Sequence, residues 1–385
     1  MSFDFIPSAL AKRRAEGLFR QPTKIDAVDG ANIRIGGKQY INFASNDYLG
    51  LSQSSSVKQA WQQGIDLYGC GSGASPLVTG YSKAHCELET YLAERLQRQR
   101  VMLFNSGFAA NSAICQSLML QGGNIIADKL IHASIIDGAL ASKGNLQRFR
   151  HNDINHLADL LNTANTNNLV AVEGIYSMDG DAAPVVTLAA LCQQRQSMLM
   201  VDDAHGFGVL GDSGLGSMES ANLGPNDVPL LMATFGKAVG TAGAFVATSN
   251  DIADYLQNFA RDYIYSTMMP PAQAVATLAS LQLIEQQPQL RQQLRNNIQL
   301  FRDLSLQHEL PLGISESAIQ PIMIGDPKKA LMLSNKLKDK GFWVTAIRQP
   351  TVPKGTDRLR VTISAIHNPV QIQQLVINMA LTLNE

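Results

Sequence analysis

The stretch Leu230-Leu-Met-Ala-Thr-Phe-Gly-Lys237-Ala-Val-Gly240 decides how the chain is read. Its opening residues, Leu230 to Ala233, form a short apolar run of the kind that makes a buried parallel strand. The run ends in Thr234, Gly236 and Lys237, and a second short strand, Gly243 to Thr248, follows a glycine-rich turn. A lysine delivered by a strand end, with little bulk around it, is placed for Schiff-base chemistry. Burial there lowers its pKa and favours the reactive neutral amine. Taken alone, such a lysine is more often a solvated surface charge.

A second stretch, Met198-Leu-Met-Val-Asp-Asp-Ala-His205, changes that balance. Another apolar strand ends in Asp202, Asp203 and His205. An acid and a lysine on neighbouring strand ends of one parallel sheet share the crevice where open α/β sheets bind ligands. Alternation along the strand turns Asp202 and Asp203 to opposite faces. Between and around these stretches the chain alternates strands with helices: 124–128, 135–142, 146–150, 154–164, 169–177, 188–196 and 198–204. The expected class is therefore α/β, with a mostly parallel sheet covered by helices in a large domain. Residues 1–45 read as an N-terminal arm, with helical character from Ala9 to Phe19 and a hairpin turning at Gly36-Gly37. The large domain is expected over 46–287. A small α+β C-terminal domain follows over 288–385, with strands at 320–324, 343–347 and 358–364 and helices at 328–340 and 369–381.

Composition narrows the function classes. The chain has 385 residues, 45% of them hydrophobic and 16% charged, as in an ordinary globular protein with a large core. A net charge of −1 gives no electrostatic reason to bind nucleic acid or an anionic membrane. Cys70, Cys86, Cys115 and Cys192 contain no Cys-x-x-Cys pair, so neither a zinc site nor a disulfide framework is expected, and no metal is assigned. Met1 to Gly17 has no apolar signal-peptide core, and no run reaches a membrane span of about 18–20 residues. A cytoplasmic protein is expected.

Several further stops carry candidate chemistry. Val101 to Phe104 reads as a strand, followed by Asn105-Ser-Gly-Phe108 and then a helix, Ala109 to Leu120; Gly107 permits close backbone approach, with Phe108 next, at a helix start whose unpaired amides suit an anion. The same pattern also describes an ordinary strand-to-helix connection. His132 begins a helix, where a histidine is commonly a local hydrogen-bonder. Ser177 ends the run Val172-Glu-Gly-Ile-Tyr-Ser177, either a crevice hydroxyl or a cap. Arg348 lies just past a strand end, where a guanidinium can grip a carboxylate or simply be solvated. The run His205-Gly-Phe-Gly-Val-Leu-Gly211 holds a literal Gly-x-Gly-x-x-Gly. A dinucleotide fingerprint needs a helix after the glycines and an acid further on; here loop continues and the acids come first.

With Asp202/His205, Thr234/Lys237, Gly107/Phe108, His132, Ser177 and Arg348 in this order, the sequence resembles the α-oxoamine synthases, fold-type I enzymes that use pyridoxal 5′-phosphate (PLP). Asn46-Asp-Tyr-Leu-Gly50, the glycine-rich stretch from Tyr68 to Tyr81, the run Glu173 to Asp181 and the segment Arg348 to Arg360 are also similar to that family's motifs. Gln349 departs from it, where a proline is more usual. The resemblance implies that Lys237 carries PLP and that Asp202 faces the pyridine nitrogen. His132 then stacks on the ring and His205 bonds its phenolic oxygen. Gly107, Phe108, Ser177 and Thr234 surround the cofactor, and Arg20, His132, Arg348 and Thr351 contact substrate, Arg348 at the amino-acid carboxylate. The implied reaction is a decarboxylative condensation of L-alanine with a pimeloyl thioester, on coenzyme A or a carrier protein, by a homodimer. Glycine or serine with another acyl-CoA is the sibling alternative.

Overall fold

The structure, a computed structural model, describes residues 2–164 and 167–384. The arm opens with a helix, Phe5–Ala15, which has no buried residue. Three short antiparallel strands follow, β1 (Ala27–Asp29), β2 (Asn32–Ile35) and β3 (Lys38–Asn42). The β2–β3 hairpin turns on Gly36 and Gly37, with φ of 57° and 80°. A two-residue hairpin whose twist matches its strands needs positive φ at both positions, which glycine adopts without strain.

The centre is a seven-stranded sheet: β4 (Arg100–Phe104), β5 (Asn124–Asp128), β6 (Asn145–Phe149), β7 (Asn168–Glu173), β8 (Met198–Asp202), β9 (Leu230–Thr234) and β10 (Ala244–Thr248). Its spatial order is β4-β10-β9-β8-β7-β5-β6. Neighbouring pairs are parallel except that β10 runs antiparallel to both β4 and β9. Residues 169–173, 199–202 and 230–233 are all buried, as strands covered on both faces require. Two apolar clusters fill the two sides, one around Phe149, Phe207, Phe235 and Phe245, the other around Ile114, Ile125, Ile135 and Met232. In register, Glu173 stands beside Asp202, and Asp202 beside Met232. The carboxyl ends of β5, β7, β8 and β9 therefore bring Asp128, Glu173, Asp202 and Thr234 to one edge.

The C-terminal part holds β11 (Ile319–Met323), β12 (Phe342–Trp343), β13 (Thr345–Ile347) and β14 (Arg358–Thr362), with helices Pro288–Gln307, Pro327–Asp339 and Pro369–Asn384. The single strand expected over 343–347 is divided. β12 pairs in parallel with β3 of the arm, whereas β13 pairs with β14, and buried Val344 turns the chain between them. Trp343 meets Tyr40 edge-on at 5.4 Å and lies under the Lys338 ammonium, which fixes the pairing. The arm is thus stitched into the C-terminal part. Further on, Thr362 N donates to Phe43 O at 2.8 Å, Ala365 N to Tyr48 O at 2.8 Å and Ser364 Oγ to Asp47 O at 2.8 Å. These bonds hold residues 43–48 over the sheet edge. Among the described residues no helix is long and apolar enough to cross a membrane.

Candidate active site

Lys237 lies in the turn after β9. Gly240 N donates to Lys237 O at 2.9 Å, and Gly240 has φ 73°. A Cβ there would come within 2.4 Å of Ser52 N, so the turn is packed against backbone and needs glycine. Lys237 Nζ is 2.9 Å from His205 Nε2, and His205 Nδ1 is 2.5 Å from the Tyr48 hydroxyl. Burial holds His205 well below the ordinary imidazole range, reinforced by the positive charges of Lys237, Arg360 and His132. Burial also lowers Lys237 to about 8, against the opposing pull of Asp202 and Glu173. Tyr48, also buried, is pushed up to about 12 and keeps its proton. A neutral imidazole has one donor and one acceptor nitrogen. When Lys237 is ammonium it donates to Nε2 and Nδ1–H faces Tyr48; when it is amine, Nε2–H donates to it and the Tyr48 hydroxyl donates to Nδ1. The three groups form a path along which a proton on Nζ is matched by a tautomer change.

Asp202 anchors a second chain of bonds. Its Oδ1 accepts from Ala204 N at 3.1 Å and its Oδ2 from Asn111 Nδ2 at 2.8 Å. Asn111 Nδ2 also donates to Ser134 Oγ at 2.9 Å, and Ser134 Oγ is 2.7 Å from His132 Nδ1. His132 caps the helix Ala133–Ala141, its ring accepting from Ser134 N. The local hydrogen-bonding role is therefore present, and it ties His132 to Asp202. Asp203 faces away, accepting from both the backbone and the hydroxyl of Ser217. The expected alternation of the two acids is what the structure has.

Two arginines at alternate positions of β14 share a face and reach across to the loop after β7. Arg358 pairs with Asp179 and bonds Met178 O. Arg360 donates through Nε to Ser177 O at 2.9 Å and through an amino group to Asn46 Oδ1 at 3.1 Å. Ser177 N in turn donates to Glu173 Oε2 at 3.1 Å. Burial, with Asp202 adjacent, raises Glu173 well above the usual carboxylate range, so ionisation of this acid is disfavoured beside Asp202.

Gly107 opens the helix Gly107–Leu118 with Ser106 as its cap, accepting from Ala109 N at 3.2 Å. A Cβ on Gly107 would stand 2.7 Å from Thr234 Cγ2, so the helix start and the end of β9 touch. Phe108 is half exposed beside them. Thr234 Oγ1, Asn111 Oδ1 and Glu173 Oε1 are buried with no hydrogen-bond partner among the described residues. Unpaired buried polar atoms are rare in native structures unless something else satisfies them. Here they lie between a lysine, an acid and a helix N-terminus, the amine, ring-nitrogen partner and phosphate seat that PLP requires. The donor set fits PLP.

Arg20, Arg348 and Thr351 come together elsewhere. Arg20 donates to Thr351 Oγ1 at 3.3 Å and Arg348 to Gly17 O at 2.7 Å. With Arg13 and Leu18 they line a cavity of about 270 Å³ between the arm and the loop after β13. Arg360 is among the charges acting on Lys237 and His205. Sequence reasoning missed Arg360, Asn46, Tyr48, Asn111 and Glu173. For Arg360 a signal existed in Arg358-Leu-Arg360, two arginines on one strand face. Asn46 and Tyr48 sit in a motif that reads as loop, and their partners are distant in sequence. The Gly206–Gly211 glycines lie in turns, with no helix before Ser217–Ser220, which removes the dinucleotide reading.

Comparison with known proteins agrees with this chemistry. A family model described as aminotransferase class I and II matches residues 38–378. The 8-amino-7-oxononanoate synthase of Pseudomonas putida (strain W619) is 47% identical over 376 residues, 98% of this chain and 96% of that protein. Among solved structures, the serine palmitoyltransferase of S. paucimobilis with PLP–myriocin bound has a TM-score of 0.92 at 28% identity, covering 99% of this chain and 97% of that one. The 8-amino-7-oxononanoate synthase of Francisella tularensis has a TM-score of 0.79 at 33% identity, covering 90% of this chain and 98% of that one. The chain belongs to the class I and II aminotransferase family, on its 8-amino-7-oxononanoate synthase branch.

Proposed function

We infer that the chain joins L-alanine to a pimeloyl thioester to give 8-amino-7-oxononanoate, releasing carbon dioxide and the thiol carrier, as a step of biotin biosynthesis. The observation that carries this reading is the partly buried pairing of Lys237 with His205 beside Asp202, at one sheet edge. PLP, held there by Lys237, supplies the sink for the electron pair left when the alanine Cα–H bond breaks. Lys237, its pKa depressed, is the base that takes the Cα proton, and His205 and Tyr48 adjust their own protons to it. Asp202, oriented by Asn111, keeps a proton at the pyridine nitrogen. With PLP bound, His205 would partner its phenolic oxygen and His132 would lie against its ring face. Gly107, Phe108, Ser177 and Thr234 would hold the polar edge of the cofactor.

The amino-acid carboxylate falls to Arg360 with Asn46, since this guanidinium bonds Asn46 Oδ1 and the carbonyl of Ser177 beside the crevice. Arg348, the residue expected at this carboxylate, bonds Gly17 O beside Arg20 and Thr351. The cavity of Arg20, Arg348 and Thr351 suits the far carboxylate of the pimeloyl chain, because two guanidinium groups and a hydroxyl converge there. The carrier is coenzyme A or an acyl carrier protein. The chain works as a cytoplasmic homodimer, with the Gly69–Gly80 loop and Ser266/Thr267 facing the second copy; Leu77, Val78 and Tyr265 are half or more exposed in the single chain, which supports that face. Domain bounds of 1–45, 46–287 and 288–385 are kept, with the arm attached to the last.

Borohydride reduction and peptide mapping should label Lys237, and a label on another lysine overturns the site. Equal alanine, glycine and serine offered with pimeloyl-CoA should yield mainly the alanine product by mass. A dominant glycine or serine product replaces the reaction with that of a sibling synthase. Light scattering should give a dimer, and a fully active monomer removes that part of the reading.

A further inference from the structure

His151 stands just past the end of β6 with a carboxylate on each ring nitrogen. Its Nδ1 is 2.9 Å from Asp128 Oδ1 and its Nε2 is 2.8 Å from Asp181 Oδ2. The ring is edge-on to Tyr176 at 4.5 Å. A neutral imidazole offers one donor and one acceptor, so it would set a lone pair against one of the two carboxylates. Two carboxylate partners are satisfied together only by a ring protonated on both nitrogens.

The two acids belong to different loops. Asp128 ends β5, is fully buried and also accepts from Leu130 N at 2.7 Å and Asn152 N at 2.9 Å, while Ile131 N bonds its carbonyl. It thereby shapes the four-residue approach to His132. Asp181 closes the turn that contains Ser177: Tyr176 N donates to Asp181 O at 2.9 Å and Gly180 N to Tyr176 O at 2.8 Å. Asn152 Nδ2 adds bonds to Asp181 Oδ2 at 3.0 Å and to Ala182 O at 3.1 Å. The His151 ring thus spans the approach to His132 and the turn of Ser177, and Asn152 adds a second link through its backbone N on one side and its side-chain amide on the other.

We propose that His151 is a positioning residue, an imidazolium that clamps the loop delivering His132 to the turn holding Ser177 and so sets the distance between these two side chains. The groups facing it are Asp128 from β5 and Asp181 and Tyr176 from the turn, with Glu173 of β7 behind Tyr176. Burial alone lowers the ring's pKa, but the hydrogen bonds to Asp128 and Asp181 outweigh it and raise it to about 10. The charge is therefore present throughout the neutral range. This deepens the PLP reading, since it gives His132 and Ser177 a shared support.

The test uses the full chain with and without PLP. Nitrogen NMR of the wild-type His151 ring at pH 8 should show both nitrogens protonated, a readout that needs no variant. In the cofactor-free chain, His151→Gln should speed amide exchange about tenfold or more in both 129–133 and 175–182, with the β7–β9 strands unchanged. His151→Arg, which keeps the charge and a two-sided fork, should restore most of that protection. PLP affinity should fall about tenfold in the Gln variant and recover in the Arg variant. A neutral ring at pH 8, faster exchange in only one loop, or loss of protection spread evenly through the sheet overturns the clamp. If both loops loosen together while PLP fails to bind even the wild-type chain, the clamp stands and the cofactor reading falls.

Discussion

The Lys237 crevice and the Arg348 cavity both gather positive charge, yet they are built in different ways. In the crevice, Asp202, Glu173 and Thr234 stand at the ends of hydrogen-bonded strands, and register alone places two acids side by side. Asn111, Ser134, His205 and Tyr48 then hold the charged groups through buried bonds. In the cavity, Arg20 and Thr351 are exposed, and Arg348 is tied by one bond to a carbonyl of the arm 331 residues away. Arg348 follows β13 directly, but Arg20 and Thr351 lie outside the strands. The crevice suits bond-making chemistry, which needs preset geometry. The cavity suits selection of a flexible chain end, where a charge can adjust to its ligand. Substitutions in the first should strike turnover, and in the second the KM for one substrate.

The largest effect belongs to Lys237. Lys237→Ala should lower kcat/KM by about 10⁴-fold or more, as when a nucleophile or base is removed from a site that acts as a unit. An activity loss of tenfold or less would erase the distinction between the two regions. Next is Asp202→Asn, expected to keep the fold and cost about 10²- to 10⁴-fold in kcat. Asp203→Asn should instead lower Tm by several degrees with near-normal turnover, since the Asp203 carboxylate is turned to Ser217, away from the crevice. A larger kinetic effect at Asp203 would mean that the strand presents its other face.

Arginine substitutions sharpen the comparison at intermediate size. Arg360→Gln should cost about 2–5 kcal/mol in alanine use, the loss of a charged pair from a desolvated site. Arg348→Gln should raise the KM for the pimeloyl donor by about 2- to 5-fold with little change for alanine, as for a partly solvated ion pair. Should Arg348 rather than Arg360 govern the KM of alanine, the two carboxylate roles exchange places.

The smallest effect is on stability. Lys237 titrates at about 8 in the folded chain because burial disfavours its charge, while an unfolded lysine titrates near 10.4. Between those values the unfolded state binds the extra proton, so the stability of the cofactor-free chain rises with pH from about 8 to about 10. Lys237→Met should be the more stable protein at pH 7, with its advantage shrinking by pH 10. Urea midpoints that keep a constant separation across this range would show that the amine is not desolvated.

Much of the crevice could be read from the sequence because strand ends are local signals. Apolar runs ending in Asp202 and Lys237, and the glycine before Phe108, need no knowledge of distant partners. The Gly36-Gly37 hairpin is legible for the same reason. What stayed hidden depends on long-range contact. Tyr48 meets His205 157 residues away, and Arg360 meets Asn46 across 314 residues. A buried arginine on a strand looks structural until its partner is seen. The division of 343–347 was hidden likewise, since Phe342 and Trp343 choose their partner in the arm.

The pairing of β12 with β3 has a consequence for a ribosome at work. Residues 27–48 emerge early, but the strand that holds them and the Thr362–Ala365 bonds that seat Tyr48 emerge some 300 residues later. At about 5–20 residues per second the early segment waits on the order of fifteen seconds to a minute for its support. The central sheet, complete by Thr248, is made in the interval. A nascent chain can therefore own Lys237 and Asp202 while its His205 still lacks Tyr48, so the proton path closes only near the end of synthesis.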